Sequence, residues 1–220
     1  MKILITGSAK GIGLAVSQRF IKEGFEVYGF DLLPSSFKDE HYHHYVLDIS
    51  NKDELVDLPQ LDFIFNNAGL QNCEDDIKNN LVGTINVTEK YAFQNHIKSV
   101  LFNASASAQT GDEFPEYVAS KAGMVGYMKN VAIRLAKYQA TANSISLGGV
   151  LTESNKVVIE DKKGWEKIMN ATPLKKWASE EEVADWVYFL LVINKSASGI
   201  DILIDNGESG LNSTFVWPKQ

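Results

Sequence analysis

At 220 residues and 45% hydrophobic composition the chain is long enough for one domain around a sizeable core, and no polar or Pro/Ser-rich stretch divides it. A formal net charge of −7 excludes nucleic acid and acidic membrane surfaces as general partners, because both attract basic proteins. Cys73 is the single cysteine, so no internal disulfide can form; with no apolar signal or spanning stretch ahead of the first strand, one domain over residues 1–220 in the cytoplasm is expected.

Strand-like and helix-like apolar segments alternate along the whole sequence. That pattern predicts an α/β fold, a Rossmann-type doubly wound parallel sheet of about seven strands with helices on both faces. Ile3 to Ile5 form a short buried strand, and Ile12, Ala15, Val16 and Phe20 then recur at helical spacing. Gly7, Gly11 and Gly13, with Lys10 and Ile12 between them, fall where strand turns into helix. Glycines there let the backbone approach a ligand closely, and the free N–H groups of the following helix favour a pyrophosphate. Phe25 to Phe30 reads as the second strand and ends at Asp31, about 20 residues on, where a carboxylate accepts from adenosine ribose hydroxyls. This favours NAD over NADP, whose 2′-phosphate Asp31 would repel. Lys10 has two roles open to it, a contact to that phosphate or a solvated loop cation.

The run His41-Tyr-His-His-Tyr45 carries no metal expectation, since a strand throws neighbouring side chains to opposite faces and no Cys or carboxylate stands at ligand spacing beside them. These residues lead into a third strand, Tyr45 to Leu47, which delivers Asp48 to the ligand edge. Asp48 either accepts from an adenine amino group or caps a helix. Leu61 to Phe65 is a fourth strand running into Asn66-Asn67-Ala68-Gly69, where small residues pass under a cofactor and the asparagines brace neighbouring strands. Asn80 to Asn95 is predicted helical with Leu81, Ile85, Thr88 and Ala92 along one stripe; Asn80, disfavoured in a helix, implies a bent backbone, a bound water or a cap. Ser99 to Ala104 is a fifth strand with Ser105 and Ser107 just past its end. Tyr117-Val-Ala-Ser-Lys121 opens a long helix through Met124, Met128, Val131 and Leu135. Tyr117 and Lys121 are i and i+4, and an ammonium beside a phenol favours the phenolate, giving an acid/base near neutral pH.

Taken in order, Thr6-Gly7, Gly11-Ile-Gly13, Asp31, Asn66-Asn-Ala-Gly69, Asn80, Ser105, Tyr117-Val-Ala-Ser-Lys121, Ala142 to Thr152, Pro173 to Ala184 and Asp205-Asn-Gly207 resemble the single-domain short-chain dehydrogenase/reductase family. The resemblance covers nearly the whole chain. It implies an NAD(P)-dependent oxidoreductase acting on a small-molecule alcohol or carbonyl. Tyr117 matches the catalytic acid/base, Lys121 the residue that lowers its pKa and holds the nicotinamide ribose, Ser105 the one that orients the carbonyl, and Asn80 the one that anchors a relay water. Thr152 matches a contact near the nicotinamide carboxamide. Two intervals are shorter than the family pattern, Gly69 to Asn80 and Ser105 to Tyr117, the second leaving Ser107 as a substitute for Ser105. Leu147 stands where the family has proline, which loosens that backbone.

Between Thr152 and Trp177, residues Trp165, Ile168 and Met169 share a helical face suited either to a lid over an apolar substrate or to packing on the body. Lys162, Lys163, Lys167, Lys175 and Lys176 gather here, so an acidic carrier protein is one conceivable partner, with 3-oxoacyl-carrier-protein reduction the named alternative; a non-catalytic dinucleotide-binding regulator is the rival from another class. Glu180 to Val192 is the last helix and Ile200 to Ile204 the last strand. Apolar stripes after Asn80 and Tyr117, with a Phe215 to Pro218 tail, suggest a homodimer or homotetramer.

Overall fold

The structure, a computed structural model, describes residues 1–209 and 211; the Phe215 to Pro218 tail lies outside them. Seven strands form one sheet in the order β3-β2-β1-β4-β5-β6-β7, every neighbouring pair parallel. They are β1 (Lys2–Thr6), β2 (Glu26–Asp31), β3 (Tyr42–Val46), β4 (Phe63–Asn66), β5 (Ser99–Asn103), β6 (Thr141–Leu147) and β7 (Asp201–Ile204). The chain builds outward from β1 to β3, then returns to place β4 against the other side of β1, with Ile3 opposite both Val27 and Phe63. That reversal opens a crevice beyond the carboxyl ends of β1 and β4, the place where doubly wound sheets bind ligands.

The central strands β1, β4, β5 and β6 are buried on both faces, and β1 and β4 are apolar at successive positions. Ile3 and Ile5 point into one core with Phe63 and Phe65, while Leu4 and Ile64 point into the other. The first core is closed by Val16 and Phe20 of α1 (Gly11–Lys22) and Val183 and Val187 near the chain end; the second by Val87 of α2 (Gly83–Tyr91) and by Met124, Met128, Val131 and Leu135. Each such side chain removed from water contributes about 1.5–3 kcal/mol before chain entropy is counted. The short helix α3 (Ser107–Thr110) follows β5, and α4 (Pro115–Leu135) opens with proline in its first turn, where the missing N–H costs nothing. Helices α5 (Lys156–Glu160) and α6 (Lys162–Ala171) follow β6 in the chain, and α7 (Glu180–Tyr188) starts with a complete capping box between Ser179 and Glu182.

The structure departs from the sequence expectations in four places. Strand β3 begins at Tyr42, so His43 and His44 belong to the strand itself and His41 stands just before it; His41 and His43 both reach the Glu26 carboxylate at 2.7 Å. The helix expected from Asn80 is a π-helical segment, Ile77–Val82, followed by α2, and its buried side is Thr84, Val87, Thr88 and Tyr91, with Leu81 and Ile85 only half covered. The last helix likewise ends as a π-helical segment, Phe189–Ile193. Leu147 does not loosen its backbone: it pairs with Ile204 in β6, and its carbonyl accepts from Ala106 N–H at 2.8 Å. Among the described residues no helix is long and apolar enough to cross a membrane.

Candidate active site

The turn from β1 to α1 is shaped by contacts that leave no room for side chains. Gly7 and Gly11 hold φ of 68° and 59°, the left-handed region that glycine adopts without strain. A Cβ on Gly13 would lie 1.9 Å from the Gly7 carbonyl oxygen, and one on Gly7 would lie 2.9 Å from Ala68 Cα. Gly11, by contrast, faces open space apart from Glu180 Oε1, 3.8 Å from where its Cβ would be. The N-terminus of α1 carries no side-chain cap and no acid in its first turn, so its N–H groups and dipole end stay available. Ile12 is half-buried in that turn and Lys10 is exposed at the cap position. This cradle fits a pyrophosphate.

Thr6 Oγ1 accepts from the N–H groups of Asn67 and Ala68, both at 2.9 Å, which locks the β4 loop beneath the glycine turn. The Asn67 amide donates to Thr6 and Gly7 carbonyls and its oxygen accepts from Asn103 Nδ2 at 2.9 Å. Its side chain therefore shapes the floor rather than projecting into the crevice. Asp31 accepts from Ala9 N–H and from Leu33 N–H, each at 2.9 Å, so one carboxylate oxygen is tied to the glycine turn. Each oxygen keeps a further lone pair for a ribose hydroxyl. Both Asp48 oxygens accept from Ser50 at 2.8 Å; the cap of the next short helical turn is Asn51, which overturns the capping alternative for Asp48. Thr152 lies half-exposed past β6, its N–H donating to Val150 O at 2.9 Å.

Beyond β4 and β5 the side chains suited to chemistry converge. Lys121, buried in α4, donates through Nζ to the Asn103 carbonyl at 2.7 Å and stands 5.6 Å from the centre of the Tyr117 ring. A Cβ on Gly69 would sit 3.2 Å from Lys121 Nζ and 3.3 Å from Asn80 Oδ1, so glycine there lets both side chains close in. Asn80 exchanges two hydrogen bonds with the Leu70 backbone, at 2.7 and 2.8 Å, and donates to Ser120 Oγ at 3.1 Å. Ser120 in turn donates to the Tyr117 carbonyl at 2.7 Å. Ser105 is buried at the end of β5 and receives the Ser107 hydroxyl at 2.9 Å.

A family model described as short chain dehydrogenase matches residues 1–163. The chain belongs to the short chain dehydrogenase family. Among curated relatives, a 3-oxoacyl-[acyl-carrier-protein] reductase of Thermotoga maritima is 30% identical, covering 93% of this chain and 96% of its own. The enzyme of the same name from Buchnera aphidicola is 28% identical over 89% of this chain and 91% of its own. Among solved structures, a 4-hydroxyisoleucine dehydrogenase mutant complexed with NADH and succinate superposes with a TM-score of 0.88. It covers 97% of this chain and all of that one at 23% identity, which is a likeness of fold. This short chain dehydrogenase is an NAD(P)-dependent oxidoreductase.

The electrostatics of this dehydrogenase correct one expectation. The Tyr117 phenol does not lie toward neutrality: burial pushes it up, Ser105 pulls it down, and the negative charges of Glu113 and Asp76 push it up, to about 12 in all. The ammonium is directed at the Asn103 carbonyl, and its own burial brings it down to about 8 against the pull of Glu113 and Asp76. Tyr117 is thus held in its protonated form at neutral pH. For Lys121 the amine is neutral in both folded and unfolded chains above 10.5, so its contribution to stability is complete there; it is lost as pH falls through about 8 and the folded state must bury a charge. Wild type is therefore expected to gain on the order of a few kcal/mol relative to Lys121→Met between those two pH values. Urea unfolding of both proteins across that range tests it, and a pH-independent difference would refute it.

Some supports had no sequence signal. Asn103, a polar residue ending an apolar strand, holds Lys121 through its carbonyl and Asn67 through its amide, leaving its Oδ1 buried with no protein partner among the described residues. Asp76 closes the short loop before Asn80 by accepting from Asn72 N–H, Cys73 N–H and the Cys73 thiol. Gln71 reaches across to Glu113 at 2.7 Å. On the substrate side Trp165 meets Trp177 edge to face at 5.0 Å, and Trp177 lies directly on Gly149, where a Cβ would fall inside its ring. Ile168 and Met169 are half-buried and the five lysines exposed, Lys176 paired with Glu182.

Proposed function

We propose that this dehydrogenase interconverts a ketone and a secondary alcohol with NAD(H), working with Tyr117 as acid/base and Ser105 as the donor that orients the substrate oxygen. The observation that carries the reading is the neutral, half-buried Tyr117 phenol placed beside Ser105 with the Lys121 ammonium on the same wall. Bound on this edge, the nicotinamide supplies or takes up the hydride. In reduction, Ser105 donates a hydrogen bond to the carbonyl oxygen, Tyr117 gives it a proton as negative charge develops, and Lys121 stabilises the phenolate left behind. The Gly7–Gly13 cradle and helix dipole receive the pyrophosphate, and Asp31 receives the ribose hydroxyls.

NAD(H) is the preferred cofactor in this reading. Asp31 would face a 2′-phosphate of like charge, a conflict that costs several kcal/mol, whereas an exposed Lys10 contact returns about 1 kcal/mol or less. A panel of ketones, alcohols and 3-oxoacyl thioesters, run with NADH and NADPH, is expected to give turnover with NADH favoured, and Asp31→Ala to narrow or reverse the ratio of kcat/KM. Tight NAD(H) binding without any turnover would favour a non-catalytic regulator. Turnover confined to 3-oxoacyl thioesters would favour the second reading, carrier-protein substrates, which draws support from the names of the curated relatives and the exposed Lys162, Lys163 and Lys167.

A further inference from the structure

Ser107 stands two residues past Ser105 and has its place fixed from both sides. Ala106 N–H donates to Leu147 O at 2.8 Å, and Gly111, in the left-handed conformation that ends α3, donates to Ser107 O at 2.9 Å. So held, Ser107 turns two donors on one atom: its backbone N–H reaches Ser105 Oγ at 3.2 Å and its hydroxyl reaches the same oxygen at 2.9 Å. Both serines are nearly sealed from solvent, with exposures of 5% for Ser105 and 2% for Ser107.

A serine oxygen has two lone pairs and one proton. With both lone pairs of Ser105 Oγ taken, that hydroxyl can only donate. We infer that Ser107 is a positioning residue for the hydride-transfer reaction: it fills both acceptor sites of Ser105 Oγ and so makes Ser105 a one-way donor to the substrate oxygen. The inference rests on the role of Ser105 proposed above. No proton passes between the serines; the reacting proton comes from Tyr117, and the Ser105 hydrogen bond strengthens as charge grows on the substrate oxygen. Without the Ser107 hydroxyl a lone pair of Ser105 opens toward the Tyr117 phenol. Tyr117 then donates to Ser105, its proton turned away from the substrate.

The test is a double-mutant cycle on the intact protein, using the ketone turned over fastest in the panel with NADH. Ser107→Ala is expected to lower kcat about tenfold, the scale of one misdirected hydrogen bond, with the NADH dissociation constant unchanged. In a Ser105→Ala background the same change is expected to cost nothing further. Ser107→Cys, which keeps the volume and a weak donor, should fall between wild type and alanine and carries the cycle if Ser107→Ala does not fold. An equal loss in both backgrounds, or no loss in either, overturns the inference. If Ser105→Ala itself leaves kcat unchanged, the reading of the site has failed instead.

Discussion

Tyr117→Phe is expected to lower kcat by about 10²- to 10⁴-fold while NADH binding stays within twofold of wild type. The range is that of a positioned general acid removed from a transition state that needs a proton. Phenylalanine keeps the ring in its half-buried seat above Lys121 Nζ, so the fold and the cofactor cradle on the far side of β4 are left alone. The loss should appear equally in kcat and kcat/KM, since the phenol acts on the transition state rather than on substrate binding. Steady-state kinetics with fluorescence titration of NADH reads both quantities. Retention of more than a tenth of wild-type kcat would mean that another group protonates the substrate oxygen.

Gly13→Ala is expected to act on the cofactor and on the fold together. The added methyl would have to occupy space 1.9 Å from the Gly7 carbonyl and 2.9 Å from the Asn67 amide, and neither is free to withdraw. Asn67 is held by Thr6, Gly7 and Asn103, and Gly7 N–H is bonded to Phe30 O at 2.7 Å. Overpacking of this kind costs about 1–3 kcal/mol, which in a domain of this length lowers Tm by roughly 2–12 °C. NADH affinity should fall at least tenfold, because the backbone that approaches the pyrophosphate is the part displaced. A variant that melts with wild type and binds NADH normally would show that the turn relaxes at no cost.

What the sequence revealed, and what it hid, divides along the distance between partners. Gly7, Gly11 and Gly13, the i and i+4 pair Tyr117 and Lys121, and the Met124 to Leu135 stripe are local patterns, and all were readable from spacing alone. An irregularity at Asn80 was signalled, because an amide is a poor helix residue, but a bend, a water and a cap all stayed open and the π-helical segment was not foreseen. The hold of the Asn103 carbonyl on Lys121 joins residues 18 positions apart, and no periodicity announces it. The direction of the Tyr117 shift was misread for the same reason. The i+4 ammonium of Lys121 suggested a lowered phenol, whereas burial, which follows from packing and not from spacing, raises it, and Glu113 and Asp76 add to the rise. Trp177 against Gly149 is likewise a contact between distant residues that neither local sequence requires.

The short pairing of Val150 with Ala178 has a consequence for how such a protein can change. Leu151 N–H donates to Ala178 O at 2.8 Å and Ala178 N–H to Gly149 O at 3.2 Å, so the chain leaves the body and returns to it side by side, with Leu174 N–H adding a tie to Asn206 O at 3.3 Å. Everything between, α5 and α6 included, is a cassette closed at its base. Its length and sequence can be exchanged for a small loop-closure penalty, about 0.6 kcal/mol for each doubling, without moving β6 or the wall that carries Tyr117. A segment anchored in this way can vary while the sheet and the Gly7–Gly13 turn keep their places.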